Sequence, residues 1–153
     1  MNKILKKHFT ASAIIIKEGK VLLVYHKKLN VWLYPGGHVE ENETPDETVV
    51  REVMEETGLS VEIIGEKDEN LADVTADVSI LHQPYAVLCE LVGDHYHNDM
   101  IYLCKIEKEE IEQMKYDVRE SEAIRFFSPQ ELDGVKIFSN LKALLIKVLN
   151  EAH

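Results

Sequence analysis

Short apolar blocks dominate the first third of the chain, before any helical period appears. Phe9–Lys17 and Lys20–Lys27 carry the cores AIII and VLLV and meet at Glu18-Gly19, so they predict two strands joined by a tight turn. Trp32–Tyr34 predicts a short strand running into Pro35-Gly36-Gly37, a turn that lets backbone approach a ligand closely. From Thr44 the period changes. Thr44 suits an N-cap, Pro45 the first helical position, and Glu47 can close a capping box. Val49, Val50, Val53 and Thr57 form a narrow apolar stripe, and Gly58 is a left-handed stop, so a helix is expected over about 45–57.

Strand patterns then return at Val61–Gly65, at Tyr85–Val92 with Met100–Ile106 as a hairpin, and at Glu122–Phe127. The hairpin is expected to close through Gly93-Asp94-His95-Tyr96-His97, leaving His97 and Asp99 as solvated tip residues. Glu66–Ser79 is too polar to assign, and Glu107–Tyr116 reads as a charged helix. Ser128-Pro129-Gln130-Glu131 repeats the capping-box grammar for a short helix. Ser139 is expected to cap a final helix over Asn140–Ala152, with Leu141, Leu144, Leu145, Val148 and Leu149 on its core side. Strands around one central helix, with two helices closing the chain, predict an α+β layered domain with helices on both sides of a mixed sheet.

Length and composition add bounds. The 153 residues suit one domain over 1–153, and 45% hydrophobic with 29% charged residues is ordinary for a globular fold. No apolar run reaches the length of a membrane span, and the basic N-terminus lacks the apolar segment of a signal peptide, so a cytoplasmic protein is expected. The net charge of −11 is uneven: residues 1–36 hold seven lysines against one acid, and residues 37–153 carry −17. Free nucleic acid and membrane surfaces are therefore not expected partners. Cys89 and Cys104 have no metal spacing and are expected to be reduced, half-buried thiols facing each other across the hairpin.

The charge changes the picture most at residues 37–59. Arg51 sits there among eight carboxylates: Glu40, Glu41, Glu43, Asp46, Glu47, Glu52, Glu55 and Glu56. So many like charges repel, and a hard divalent cation would turn that repulsion into binding. Helical spacing brings Glu52, Glu55 and Glu56 near one another and lets Arg51 pair with Glu55. Lys27 and Lys28, close in sequence to the glycine loop, are candidate phosphate contacts, with exposed edge-strand lysines as the plain alternative.

The same segment resembles the Nudix box, G-x5-E-x7-R-E-U-x-E-E-x-G-U, in which U is a bulky aliphatic residue. Gly37, Glu43, Arg51, Glu52, Val53, Glu55, Glu56, Gly58 and Leu59 fill every fixed position. The resemblance implies an α/β/α sandwich with the box as loop–helix–loop. It implies that Glu52, Glu55, Glu56 and the Gly37 carbonyl bind divalent cations, Mg²⁺ or in its place Mn²⁺. It gives Arg51 and Glu43 the part of holding the box together. The implied reaction is hydrolysis of a nucleoside diphosphate linked to a moiety X: a nucleotide sugar, ADP-ribose, or a canonical or oxidised nucleoside triphosphate. Glu52 is the first candidate for general base, then Glu120 and Glu122, and after them His97 and Asp99. The alternative is a non-catalytic nucleotide-sensing module on the same fold.

The proline that often follows the box in ADP-ribose hydrolases is absent at Val74-Thr75, and the next proline is Pro84. The tyrosine associated with dinucleoside polyphosphates has its nearest downstream counterpart in Tyr85. Neither departure selects X. Family members are often dimers, so a homodimer is compatible, although no apolar stripe demands one.

Overall fold

The computed structural model describes residues 4–107 and 111–151. Among these residues, eight strands and two α-helices form the fold. The strands are β1 (Lys7–Lys17), β2 (Lys20–His26), β3 (Val31–Leu33), β4 (Gly36–His38), β5 (Val61–Ile63), β6 (Ala86–Val92), β7 (His95–Ile106) and β8 (Ser121–Phe127). The helices are α1 (Pro45–Thr57) and α2 (Ser139–Leu149). The sheet is mixed. Its central path is β3-β2-β1-β7-β5, with β4 paired to β1, β6 to β7 and β8 to β2. Only β1 and β7, among the described strands, run parallel; the other pairings are antiparallel.

The period-2 alternation of the central strands divides the core into two layers. Ala11, Ala13 and Ile15 of β1, with Tyr102 and Cys104 of β7, pack with Val49 and Val53 of α1. Ile14 of β1, with Ile101 and Leu103 of β7, packs with Leu141, Leu145 and Val148 of α2. The expected helix–sheet–helix layering follows directly. Thr10 and Ser12 continue the α2-facing side of β1, so this face turns polar toward the start of that strand.

Helix α1 begins and ends where its caps require. Thr44 Oγ1 accepts from the Glu47 amide at 3.2 Å, and Glu47 Oε1 accepts from the Thr44 amide at 3.1 Å. Gly58 ends it in the left-handed region at φ 73°. The stripe differs by one residue: Thr48, Val49, Val53 and Thr57 are buried, whereas Val50 is exposed. Thr48 replaces it because its hydroxyl donates to Glu43 Oε1 and to the Thr44 carbonyl, which lets a polar side chain sit inside.

Several expectations are corrected. Gly36 and Gly37 are strand residues paired with Ser12 and Ala11, not a turn. The hairpin turns within Gly93-Asp94, because β7 begins at His95. Cys89 therefore pairs in register with Asn98, and Cys104 with Ile15 and Ile63, so the thiols do not face each other. Cys89 is exposed and Cys104 buried, its thiol pushed up to about 12 by burial first and Asp46 second. Ser139 lies inside α2, whose N-cap is Phe138 with no side-chain cap bond. The helix ends at Leu149; Ala152 lies outside the described residues. Within the expected 107–116 helix only a 3₁₀ turn, Ile111–Gln113, forms among the described residues, and 108–110 lie outside them. The Ser128–Glu131 capping pair forms as expected, with Glu131 Oε1 accepting from the Ser128 amide at 3.0 Å, and leads into a 3₁₀ turn, Glu131–Gly134.

Candidate functional site

Strand β4 and helix α1 meet face to face, and the box carboxylates lie between them. The Gly36 amide donates to Glu56 Oε2 at 3.1 Å. Gly37 faces Glu52 so closely that a Cβ there would lie 2.3 Å from the Glu52 carboxyl carbon. The glycines are needed for this close approach, and neither uses a left-handed backbone.

Arg51 organises the outer side. Its Nε and Nη2 donate to the two oxygens of Glu43 at 2.7 and 2.9 Å, a bidentate pair. Nη2 also donates to the His38 carbonyl at 3.2 Å, which ties the helix to the end of β4. Nη1 donates to Glu52 Oε1 at 3.0 Å and reaches Glu55 at 3.3 Å. Hydrogen bonding to Arg51 holds the Glu43 carboxyl down to about 2. The expected clamp, Arg51 with Glu43, is thus a direct contact, and so is the Arg51–Glu55 pair.

Glu56 has a different environment. Its hydrogen-bond donor is the Gly36 amide, and its charged neighbours are Glu52, Glu120 and Asp117. Burial, then repulsion from Glu52, pushes its carboxyl up to about 9. Burial also raises Glu52, against the pull of Arg51. Glu55 is more exposed, with 55% of its side chain open to solvent. The set is all oxygen and rich in negative charge, with Arg51 bonded to Glu52 and Glu55 and Arg119 paired with Asp117, and such an oxygen set suits a hard divalent ion.

Of the two acids near the last strand, the site gathers Glu120, which acts electrostatically on both Glu52 and Glu56. Glu122 is exposed on β8. Asp117 joins the site and was not anticipated; it lies in a loop with no helical or strand period to mark it. Lys27 Nζ donates to the Val118 carbonyl, and its amide donates to the Glu120 carbonyl at 2.9 Å. Lys27 therefore anchors the loop carrying Asp117 and Glu120, while Lys28 is exposed in the following turn.

A cavity of about 540 Å³ opens beside Gly36 and Gly37, between the β6–β7 hairpin and the start of α2. Its floor is the feature that sequence reasoning missed. Asp99, expected as a solvated tip residue, is only 2% exposed. It accepts from Thr10 Oγ1 at 2.9 Å, Ser12 Oγ at 2.8 Å and the Tyr34 hydroxyl at 2.7 Å. Glu90 stands opposite and is pushed up to about 7 by burial first and Asp99 second. The same surroundings raise Tyr34 far above the usual phenol range. The available signal was alternation: His95, His97 and Asp99 share a face of β7, and Glu90 lies in the middle of β6. Trp32 packs edge-on against Tyr25 and Phe127, as a rim-of-core residue would. The Tyr85 hydroxyl donates to Glu151 of the segment after α2.

Among the described residues, no helix is long and apolar enough to cross a membrane.

A family model described as the NUDIX domain matches residues 6–146. A "Probable DHNTP pyrophosphohydrolase" of Lactococcus lactis subsp. cremoris is 34% identical over 104 residues, 67% of this chain and 57% of that protein. Phosphatase NudJ of Escherichia coli strain K12 is 40% identical over 60 residues, 37% of this chain and 39% of that protein. The chain thus spans less than two thirds of the length of these relatives. The crystal structure of a NUDIX-family hydrolase from Clostridium perfringens superposes with a TM-score of 0.82 at 29% identity, covering 95% of this chain and 98% of that one.

Proposed function

The chain belongs to the Nudix family, and from that membership we propose that it is a pyrophosphohydrolase cleaving the diphosphate linkage of a small nucleotide. The observation that carries this reading is the Glu52–Glu56 pair held against Gly36-Gly37 with excess negative charge around it. Hydrolases of the family generally use divalent metal ions. The residues here fit one: Glu52, Glu55, Glu56 and the Gly37 carbonyl would hold it, and an all-oxygen set favours Mg²⁺, with Mn²⁺ as a substitute. When bound, the ion lowers the pKa of water and screens phosphate charge.

The protein's own groups then have distinct tasks. Arg51 and Glu43 fix the helix face to the end of β4. Glu52 takes the attacking water's proton, with Glu120 as the second candidate. The cavity beside Gly37 receives the rest of the substrate, and Glu90, positioned by Tyr34 and the buried Asp99, reads its polar edge. Glu90 titrates near neutrality, so it can donate to an acceptor edge when protonated. The Lactococcus relative's named activity makes DHNTP the first substrate to try, beside ADP-ribose, sugar nucleotides, dinucleoside polyphosphates, and canonical and oxidised nucleoside triphosphates.

The test is phosphate or pyrophosphate release across that panel, with Mg²⁺ and with EDTA. One strongly preferred, Mg²⁺-dependent substrate supports the reading. Glu52→Gln is expected to abolish turnover while the protein stays folded. No turnover of any substrate by folded, Mg²⁺-supplied protein would overturn it in favour of a nucleotide-sensing module.

A further inference from the structure

Four imidazoles converge outside the carboxylate site. His8 comes from β1, His38 from β4, and His95 and His97 from β7. Register explains the meeting. His8 pairs with His97 across the parallel β1–β7 ladder, and His38 pairs with Thr10, two residues along β1 from His8. His95 and His97 are two apart in one strand and share its face. One ring nitrogen from each histidine lies within 4.8 Å of the other three. His8 Nδ1 and His38 Nε2 are 3.3 Å apart, and His95 Nε2 and His97 Nε2 are 2.9 Å apart.

These separations suit a shared ion. Zinc–imidazole bonds of about 2.0–2.1 Å in a tetrahedron place the nitrogens about 3.4 Å from one another. Modest rotation of the side chains would bring the wider pairs to that spacing. Asp94 Oδ1 lies 3.0 Å from His95 Nδ1, the position of an outer carboxylate that orients a ligating imidazole and leaves Nε2 for the metal. Four nitrogens with no oxygen ligand favour Zn²⁺, Co²⁺, Ni²⁺ or Cu²⁺ over Mg²⁺. The cluster is therefore chemically unlike the all-oxygen set on α1.

We propose that His8, His38, His95 and His97 form a four-histidine site for a transition-metal ion, with Zn²⁺ as the reference ion. A closed set of four protein ligands has no open position for substrate, so its role is structural. It would pin the start of β1, the end of β4 and the β6–β7 hairpin together. His97 also lines the cavity, so the ion would stiffen the rim of the proposed substrate site.

The test is calorimetric Zn²⁺ titration of the full chain in excess Mg²⁺, which occupies the carboxylate site, with Co²⁺ absorption as a second readout. One Mg²⁺-insensitive equivalent of Zn²⁺ is expected, and Co²⁺ should give the intense visible bands of a tetrahedral nitrogen site. His8→Ala and His95→Ala should each weaken Zn²⁺ binding by at least roughly tenfold, and Asp94→Asn by about tenfold. Zn²⁺ should also raise the thermal midpoint of the wild type but not of His8→Ala. Absence of Mg²⁺-insensitive Zn²⁺ binding, an octahedral Co²⁺ spectrum, or wild-type affinity in both histidine variants would each overturn the proposal. The Co²⁺ spectrum of the wild type decides the matter even where a variant fails to fold, and none of these readouts depends on hydrolytic activity.

Discussion

Glu52 lies over Gly37 at a distance that leaves no room for a side chain: a Cβ on Gly37 would sit 2.3 Å from the Glu52 carboxyl carbon and Oε1. Gly36, its neighbour, faces β1 instead, with the Ser12 side-chain Oγ at 2.3 Å and two backbone atoms, the Ala11 carbonyl oxygen at 2.7 Å and Ser12 Cα at 2.8 Å, from a Cβ built on it. The two glycines therefore fail in different ways. In Gly37→Ala the flexible Glu52 carboxylate can swing aside, so the thermal midpoint should stay near wild type while Mg²⁺ affinity and kcat fall, the latter by about a hundredfold. In Gly36→Ala the β1–β4 pairing must open, costing about 1–3 kcal/mol. Thermal denaturation and Mg²⁺-dependent turnover, measured on both variants, check this split; equal stability loss in the two would contradict it.

The Arg51–Glu43 pair makes acid stability predictable. Glu43 is held down to about 2 in the fold, against a carboxylate's usual value of 4.5. A depressed carboxyl contributes its stability fully above the unfolded pKa and loses it as pH falls toward 2. The Glu43 side chain is 14% exposed and Arg51 25%, so solvent screens the pair only partly. Glu43→Gln should cost about 1–3 kcal/mol at neutral pH and much less near pH 2. Urea unfolding at several pH values measures it, and a variant with the wild-type acid limb would refute it.

Glu56 has the opposite sign. Its folded carboxyl stands at about 9, so without metal its contribution is complete below its unfolded value of 4.5 and disappears as pH rises through about 9. A divalent ion must displace that proton, and its affinity should therefore grow with pH. Mg²⁺ about a hundredfold over its Kd should raise the thermal midpoint by about 5–10 °C in alkaline buffer. The rise should be smaller in mildly acidic buffer and should vanish in Glu56→Gln. A Mg²⁺ effect independent of pH would show that Glu56 is not a ligand.

Helix α1 was legible almost to the residue because its signals are local: Thr44, Pro45 and Glu47 at one end and Gly58 at the other are chemical instructions to the adjacent backbone. The two core layers followed from alternation in β1 and from the leucines of α2. What stayed hidden depended on register between distant strands. Nothing near Asp99 in sequence shows that Thr10, Ser12 and Tyr34 will donate to it, and Gly36-Gly37 reads as a turn until β1 supplies its partner. The same limit applies to the histidines, which are scattered over 8–97 and meet only through strand pairing. Asp117 and Glu120 reach the carboxylates through a loop that Lys27 anchors, a contact that no periodicity encodes.

Glu90 offers a test of the cavity that leaves the proposed metal site untouched. Its carboxyl stands at about 7, raised by burial and by Asp99 across the pocket. Below that value it carries a proton and presents a donor; above it the charge faces Asp99 and repels any acceptor on the substrate. KM should therefore rise as pH passes through about 7, while kcat follows the groups on α1. Glu90→Gln keeps a donor at every pH, so its KM should be flat across that range with kcat close to wild type. Separate pH profiles of KM and kcat, using the preferred substrate, check both parts. A KM transition that survives in Glu90→Gln would place substrate recognition on other groups and remove Glu90 from the site.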